Sequence, residues 1–169
     1  MKKKVSVNAD GIDTYPDRAI GFRSWTVQRT HRYMNGSSSG LKDADYFIGS
    51  LISSGAPWQP GENIARCSNG VFNWHDAPNQ ECSCGYYAFN NLSTAASYSL
   101  RGGNRTILGA IAGSGKLMIH DNGWRAEKTE VVAFYLPKIS FGLSFVKSAS
   151  VEEAQSLAKT YRVPLFRNR

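Results

Sequence analysis

The chain is short of cysteine and of acidic residues. Its 169 residues include three cysteines, and an odd number cannot complete a framework of intrachain disulfides. All three fall between positions 67 and 84, a clustering that in a reducing compartment points to metal or thiol chemistry instead. Nor does any apolar run approach the roughly 18 residues of a membrane span. Met1-Lys2-Lys3-Lys4-Val5 is basic like the start of a signal peptide, but Asn8, Asp10 and Asp13 stand where the apolar stretch belongs. The expectation is a cytoplasmic protein without a membrane partner. No internal repeat is found.

Asp and Glu number 13 against 20 Lys and Arg, a net charge of +7. A basic balance favours polyanionic partners, because clustered cations gain affinity by releasing condensed counterions. Here the cations are scattered. Only Lys2–Lys4 and the set Arg162, Arg167 and Arg169 form tight groups, which read as solvated ends.

What is present points to one α+β domain over 1–169, a length at which a hydrophobic core forms without staples. Residues 1–15 and the Ser-rich 35–40 stretch are expected to be flexible, with a turn at Tyr15-Pro16-Asp17. Ile20 to Val27 suits a strand whose imperfect alternation predicts a bulge or burial on both faces. Residues 43–53 read as a short helix or mixed turn. Residues 91–100 read as a helix starting near Ser93 or Thr94. Strands are predicted over 106–112, 116–120 and 130–136, separated by Gly-Ser-Gly and Asp-Asn-Gly turns in a mainly antiparallel sheet. Ser150-Val151-Glu152-Glu153 is a capping box. Val151, Ala154, Leu157, Ala158 and Tyr161 then recur at helical spacing until Pro164 stops a C-terminal helix, and 163–166 can return as a short edge strand.

Residues 62–84 carry little periodicity, and so long an irregular stretch inside a compact domain needs something to hold it. Cys67, His75, Cys82 and Cys84 lie in that stretch as C-x7-H-x6-C-x-C. Thiolate sulfur and imidazole nitrogen are the ligands of tetrahedral zinc, and four protein ligands make the closed, structural kind of site. Pro78 and Asn79 suit a turn between ligands, Gly85 a turn after the last, and Asp76 an outer hydrogen-bond acceptor. The spacing lacks paired C-x-x-C knuckles. Buried free thiols and a thiol-reactive site therefore stand beside the zinc reading.

Arg23-Ser24-Trp25, Trp58-Gln59-Pro60-Gly61, Ala65-Arg66-Cys67, His75-Asp76-Ala77-Pro78 and Cys82-Ser83-Cys84-Gly85-Tyr86-Tyr87-Ala88 occur together here. With Gly123-Trp124-Arg125-Ala126-Glu127, this set resembles an uncharacterised family of small proteins from actinobacteria and their phages, over roughly positions 20 to 136. The resemblance implies that the Cys/His set and the Gly-Trp-Arg-Ala-Glu segment belong to one architecture. It also makes a phage-encoded protein acting in a host cytoplasm an expectation.

Other motifs carry less. Gly113-Ser114-Gly115-Lys116 has Leu117 where a phosphate loop needs a Ser or Thr hydroxyl, and reads as a hairpin turn. Arg23, the Ser93-Thr94 pair and Glu127 or Glu130 follow in loose order the Arg–Ser–Glu arrangement of ADP-ribosyltransferases. Cys84 or Cys82, with His75 or His120 as base, would make a thiol enzyme. Trp124, Arg125 and Glu127 read as a structural stack and ion pair. Arg23, Trp25, Arg29, Arg32 and Tyr33 interleave cations with aromatics, as a nucleic-acid or protein contact would. The sequence as a whole is best read as a zinc-stabilised, non-enzymatic binding protein for a host protein or nucleic acid. A transferase or thiol enzyme is the alternative.

Overall fold

The computed structural model describes residues 18–29, 41, 44–51, 57–67, 75–99, 105–136 and 148–167. In chain order these form β1 (Ala19–Arg29), β2 (Tyr46–Gly49), β3 (Asn63–Ile64), β4 (Tyr86–Phe89), α1 (Leu92–Ser99), β5 (Thr106–His120), β6 (Gly123–Leu136), α2 (Val151–Tyr161) and β7 (Leu165–Arg167). The expected α+β class, with a mainly antiparallel sheet and a C-terminal helix, is what is found. The turn at Tyr15-Pro16-Asp17, residues 1–15 and 35–40, and the basic group Lys2–Lys4 lie outside the described residues.

A long hairpin organises the sheet. β5 and β6 run antiparallel from Leu108↔Tyr135 to His120↔Gly123. β5 also pairs with β1, β6 with β4, and β4 meets β1 at Phe22↔Phe89. The pairings thus close on themselves as β1–β5–β6–β4–β1, a sheet curled around its own apolar face. The curl comes from register shifts between Ala110 and Ile111 and between Ser114 and Leu117, because an extra residue on one strand bends it and increases its twist.

At the second shift the sequence expectation fails. Gly113-Ser114-Gly115 is a bulge inside one strand, not a hairpin turn. Residues 115 and 116 oppose Glu127 alone. Gly115 takes φ +72, a left-handed value favouring glycine, and the Lys116 amide donates to Glu127 Oε2 at 3.0 Å. A Gly-Ser-Gly triplet serves either geometry, and long-range pairing with β1 and β6 selects the continuous strand. Residues 43–53 likewise contribute a strand, β2, because Phe47 and Ile48 are buried against β1 and α2. β6 begins at Gly123 rather than 130, and β4 was not anticipated.

Along its second edge β1 pairs with β4 at Phe22 and with β2 from Thr26 onward. Between those contacts Arg23, Ser24 and Trp25 have no strand partner on that edge among the described residues. Successive side chains alternate between faces. Ser24 donates to the Ala95 carbonyl of α1 on one face. Trp25, fully buried on the other, meets Trp58 and Phe134 edge-on at 5.4 and 6.0 Å.

The terminal helix forms as its sequence dictates. Ser150 and Glu153 make the reciprocal capping box, and Ala154, Leu157 and Tyr161 are buried. β7 pairs parallel with β6, giving the expected short return strand. α1 (Leu92–Ser99) lies within the expected 91–100, and its cap is Asn91, two residues before Ser93. Asn91 Oδ1 accepts from the Thr94 amide at 2.8 Å, the N-cap role its short carbonyl suits.

Tyr161 ties α2 to the segment that leads toward the cysteines. Its hydroxyl donates to the Trp58 carbonyl at 2.6 Å and accepts from the Ile48 amide at 3.2 Å, while burial pushes its pKa above the ordinary tyrosine value. Tyr161→Phe strands both backbone groups. Urea unfolding should show a loss of roughly 1–3 kcal/mol, the cost of an unsatisfied buried group. An unchanged midpoint would mean that water replaces the hydroxyl.

Candidate metal centre and adjoining groove

The four expected ligands come together. Cys67 follows β3, Cys82 and Cys84 precede β4, and His75 lies on the stretch between. β3 is held to β6 by its own pairing and by the Ala65 amide, which donates to the Glu127 carbonyl at 2.7 Å. Buried Ala77 and Pro78 pin the middle of the stretch. Gly85 turns the chain into β4 at φ +109, where a Cβ would stand 3.0 Å from Pro78 Cβ. Sequence-distant ends are thereby placed side by side.

Cys67 Sγ lies 3.6 Å from Cys82 Sγ, and His75 Nε2 lies 3.4 Å from Cys84 Sγ. All four ligand atoms fall within 4.8 Å of one another. Ligands at the vertices of a tetrahedron with metal–sulfur bonds of about 2.3 Å are about 3.8 Å apart, so the set fits a single ion. These residues can hold a metal ion. All four are half-buried.

The thiols are not equivalent. Cys82 is lowered to about 6, chiefly because the Cys84 amide donates to its sulfur, with contributions from the Cys67, Cys84 and His75 side chains. The Cys84 thiol is pushed up, first by burial and then by its neighbour Cys82. Of the two thiols considered for thiol chemistry, Cys82 is therefore the one more readily ionised.

Arg125 braces the ligand loop. Its side chain is 6% exposed and, among the described residues, meets no carboxylate. It donates to the carbonyl of Cys82, to that of Cys84 at 3.2 Å, and through Nε to His120 Nε2 at 3.2 Å. It also stacks over Tyr87 at 5.6 Å, and the Tyr87 hydroxyl donates to the Ser83 carbonyl at 2.7 Å. The expected Arg125–Glu127 ion pair is not formed, since Glu127 is engaged at the β5 bulge. Trp124 alternates to the opposite face and belongs to the core. Asp76 is exposed and takes no part in holding His75 among the described residues. The outer support that the sequence assigned to Asp76 is supplied by Arg125 from another strand.

The remaining expectations divide. Trp25 is core and has no surface for a partner. Arg29 is exposed and stacks on Tyr46 at 5.5 Å, and Arg32 and Tyr33 lie outside the described residues. The transferase set is not assembled. The Ser93 hydroxyl donates to Asn91 Oδ1 at the start of α1, and Glu130 is paired with Arg18. Neither lines the groove that Arg23 faces.

That groove, of about 1260 Å3, opens beside the metal loop at the gap between β2 and β4. Sequence reading missed it, because its walls come from β1, β4, α1 and the Trp58 segment. Set against protein-family models, curated proteins and solved structures, the chain matches none. Its own geometry carries the functional reading.

Proposed function

We propose that this chain is a non-enzymatic binding protein in which Cys67, His75, Cys82 and Cys84 hold one structural zinc ion. The convergence of these side chains carries the reading. Three thiolates and an imidazole suit zinc by softness and number, and four protein ligands leave no open position for a substrate water. Such a set with a divalent ion bears one net negative charge, and the carboxylate-free Arg125 offsets it. The ion would hold the stretch between β3 and β4, which sequence periodicity does not.

The partner we propose is a macromolecule of a host cell, with the chain itself phage-encoded. Host protein is favoured over nucleic acid, because Trp25, the aromatic meant to stack on bases, is buried. No helix among the described residues is long and apolar enough to cross a membrane.

Elemental mass spectrometry of the purified protein tests the metal, with about one zinc per chain expected. A pull-down that survives nuclease supports the protein partner. Retention on DNA that falls with added salt would shift the reading to nucleic acid.

A thiol enzyme is the second reading, favoured by the 3.4 Å contact of His75 with Cys84. Alkylation separates the two. Zinc-bound thiols resist iodoacetamide until chelator is added, whereas a nucleophile is labelled at once, with Cys82 first.

A further inference from the structure

Arg23 is the strangest cation in the molecule. The residue is half-buried, with its guanidinium over the Trp58 ring, 5.0 Å from the centroid. Nη1 donates to the Tyr87 carbonyl at 2.7 Å and Nη2 reaches Ser50 Oγ at 3.4 Å, while Nε is buried with no partner. No carboxylate pairs with it among the described residues. Burial pulls it down only to about 10, so the charge persists at neutral pH. Desolvating a cation without a counter-anion is costly. The bond from Arg23 to the Tyr87 carbonyl occupies Nη1 but leaves the charge itself uncompensated.

The surroundings indicate what completes the site. Arg23 lines the groove on a stretch of β1, residues 23–25, that no strand covers on that edge among the described residues. Tyr86, Phe89 and Tyr98 contribute aromatic wall, with Phe89 and Tyr98 5.3 Å apart. Arg66, Arg125 and Glu81 are the other formally charged side chains on the lining, and Cys82 and Cys84 of the metal set stand on it too. Three arginines thus face Glu81 and the one negative charge of a zinc–thiolate set. A concave, largely apolar site with a few convergent polar groups is the usual form of a small-ligand site. Guanidinium binds phosphate and carboxylate through charge-assisted, often paired, hydrogen bonds.

We infer that the groove between β2 and β4 binds a small organic oxyanion, a phosphate or carboxylate carried on a flat ring, with Arg23 as the anion anchor and the aromatic wall receiving the ring. The inference rests on the reading of the chain as a binding protein, not on which metal it holds.

The test is calorimetric titration of the protein as purified with AMP, adenosine, inorganic phosphate and benzoate, with metal content measured on the same sample. AMP or benzoate should bind saturably, and adenosine and phosphate each more weakly than AMP. Arg23→Met, which keeps length and loses charge, should weaken the binding roughly tenfold or more. If that variant does not fold, amide NMR shifts in the wild-type protein replace it. They should cluster at Ser50, Tyr86, Tyr87 and Tyr98. Silence from both AMP and benzoate overturns the inference, as does equal binding of AMP and adenosine, undiminished binding by folded Arg23→Met, or shifts remote from the groove. Binding of single-stranded DNA while AMP and benzoate stay silent also overturns it, in favour of a polymer. Metal absent with binding intact fails the zinc reading alone, and metal present without binding fails this one alone.

Discussion

Cys84→Ser is expected to lose zinc and to melt at least roughly 6–12 °C below the wild-type protein, as followed by far-ultraviolet circular dichroism. Structural zinc sites supply roughly 10 kcal/mol or more of binding free energy, which in a domain without a preformed unfolded-state site is folding free energy. Even about 3 kcal/mol of that corresponds to roughly 6–12 °C in a chain of this size. The loss should be felt through the approach to β4, where Tyr86 packs edge-on against Trp58 at 4.7 Å and Trp58 against Trp25. Excess chelator on the wild-type protein should reproduce the shift, and added zinc should reverse it. A melt indifferent to chelator would leave three free thiols and no staple.

The same site gives a pH dependence whose sign follows from Cys82. In the metal-free fold its thiol lies near 6, below the ordinary value of 9.0. An unfolded chain therefore binds this proton first as pH falls. The stabilisation is fully present above the ordinary value and is drained away as pH drops through about 6. Proton competition for the ligands sends zinc retention in the same direction. Zinc should be held at neutral pH and released below about 6, read with a chromophoric chelator.

Arg125→Met should weaken zinc binding roughly 10–100-fold, the range seen when outer partners of metal ligands are removed. The substitution keeps much of the side-chain volume. It removes the donors to the Cys82 and Cys84 carbonyls and the positive charge beside the thiolate set. Unsatisfied buried carbonyls alone cost roughly 1–3 kcal/mol, so a lower melting temperature should accompany the weaker binding. Arg125→Lys separates the two contributions. It keeps the charge without the planar fork, and should restore affinity more than it restores the bracing of both carbonyls. Unchanged zinc affinity in Arg125→Met would make the residue a mere packing element.

Local signals were legible wherever they were strong. The capping box and helical spacing of 150–161 named α2, and the β-branched run of 106–112 with 116–120 named most of β5. The ligand set was legible for a different reason. Cysteine and histidine have few bland uses in a segment that lacks periodicity, so their clustering stands out without a strong spacing signature. Tyr86–Phe89 and residues 46–49 escaped notice because a four-residue strand has too short a pattern to read, and both are strands only because β1 and β6 offer edges to pair with.

By itself, then, the sequence determined the class of fold, the terminal helix and the identity of four candidate ligands, because each depends on residues close together in the chain or on side-chain chemistry alone. Tertiary structure decided the rest. It placed Arg125 under the carbonyls of Cys82 and Cys84, more than forty positions away along the chain. It turned Gly113-Ser114-Gly115 from a turn into a bulge, and buried Trp25 where a contact surface had been expected. It also opened a groove in front of Arg23. Each of these follows from which strands lie side by side, and that is settled by the packing of the whole apolar face, not by any local run of residues.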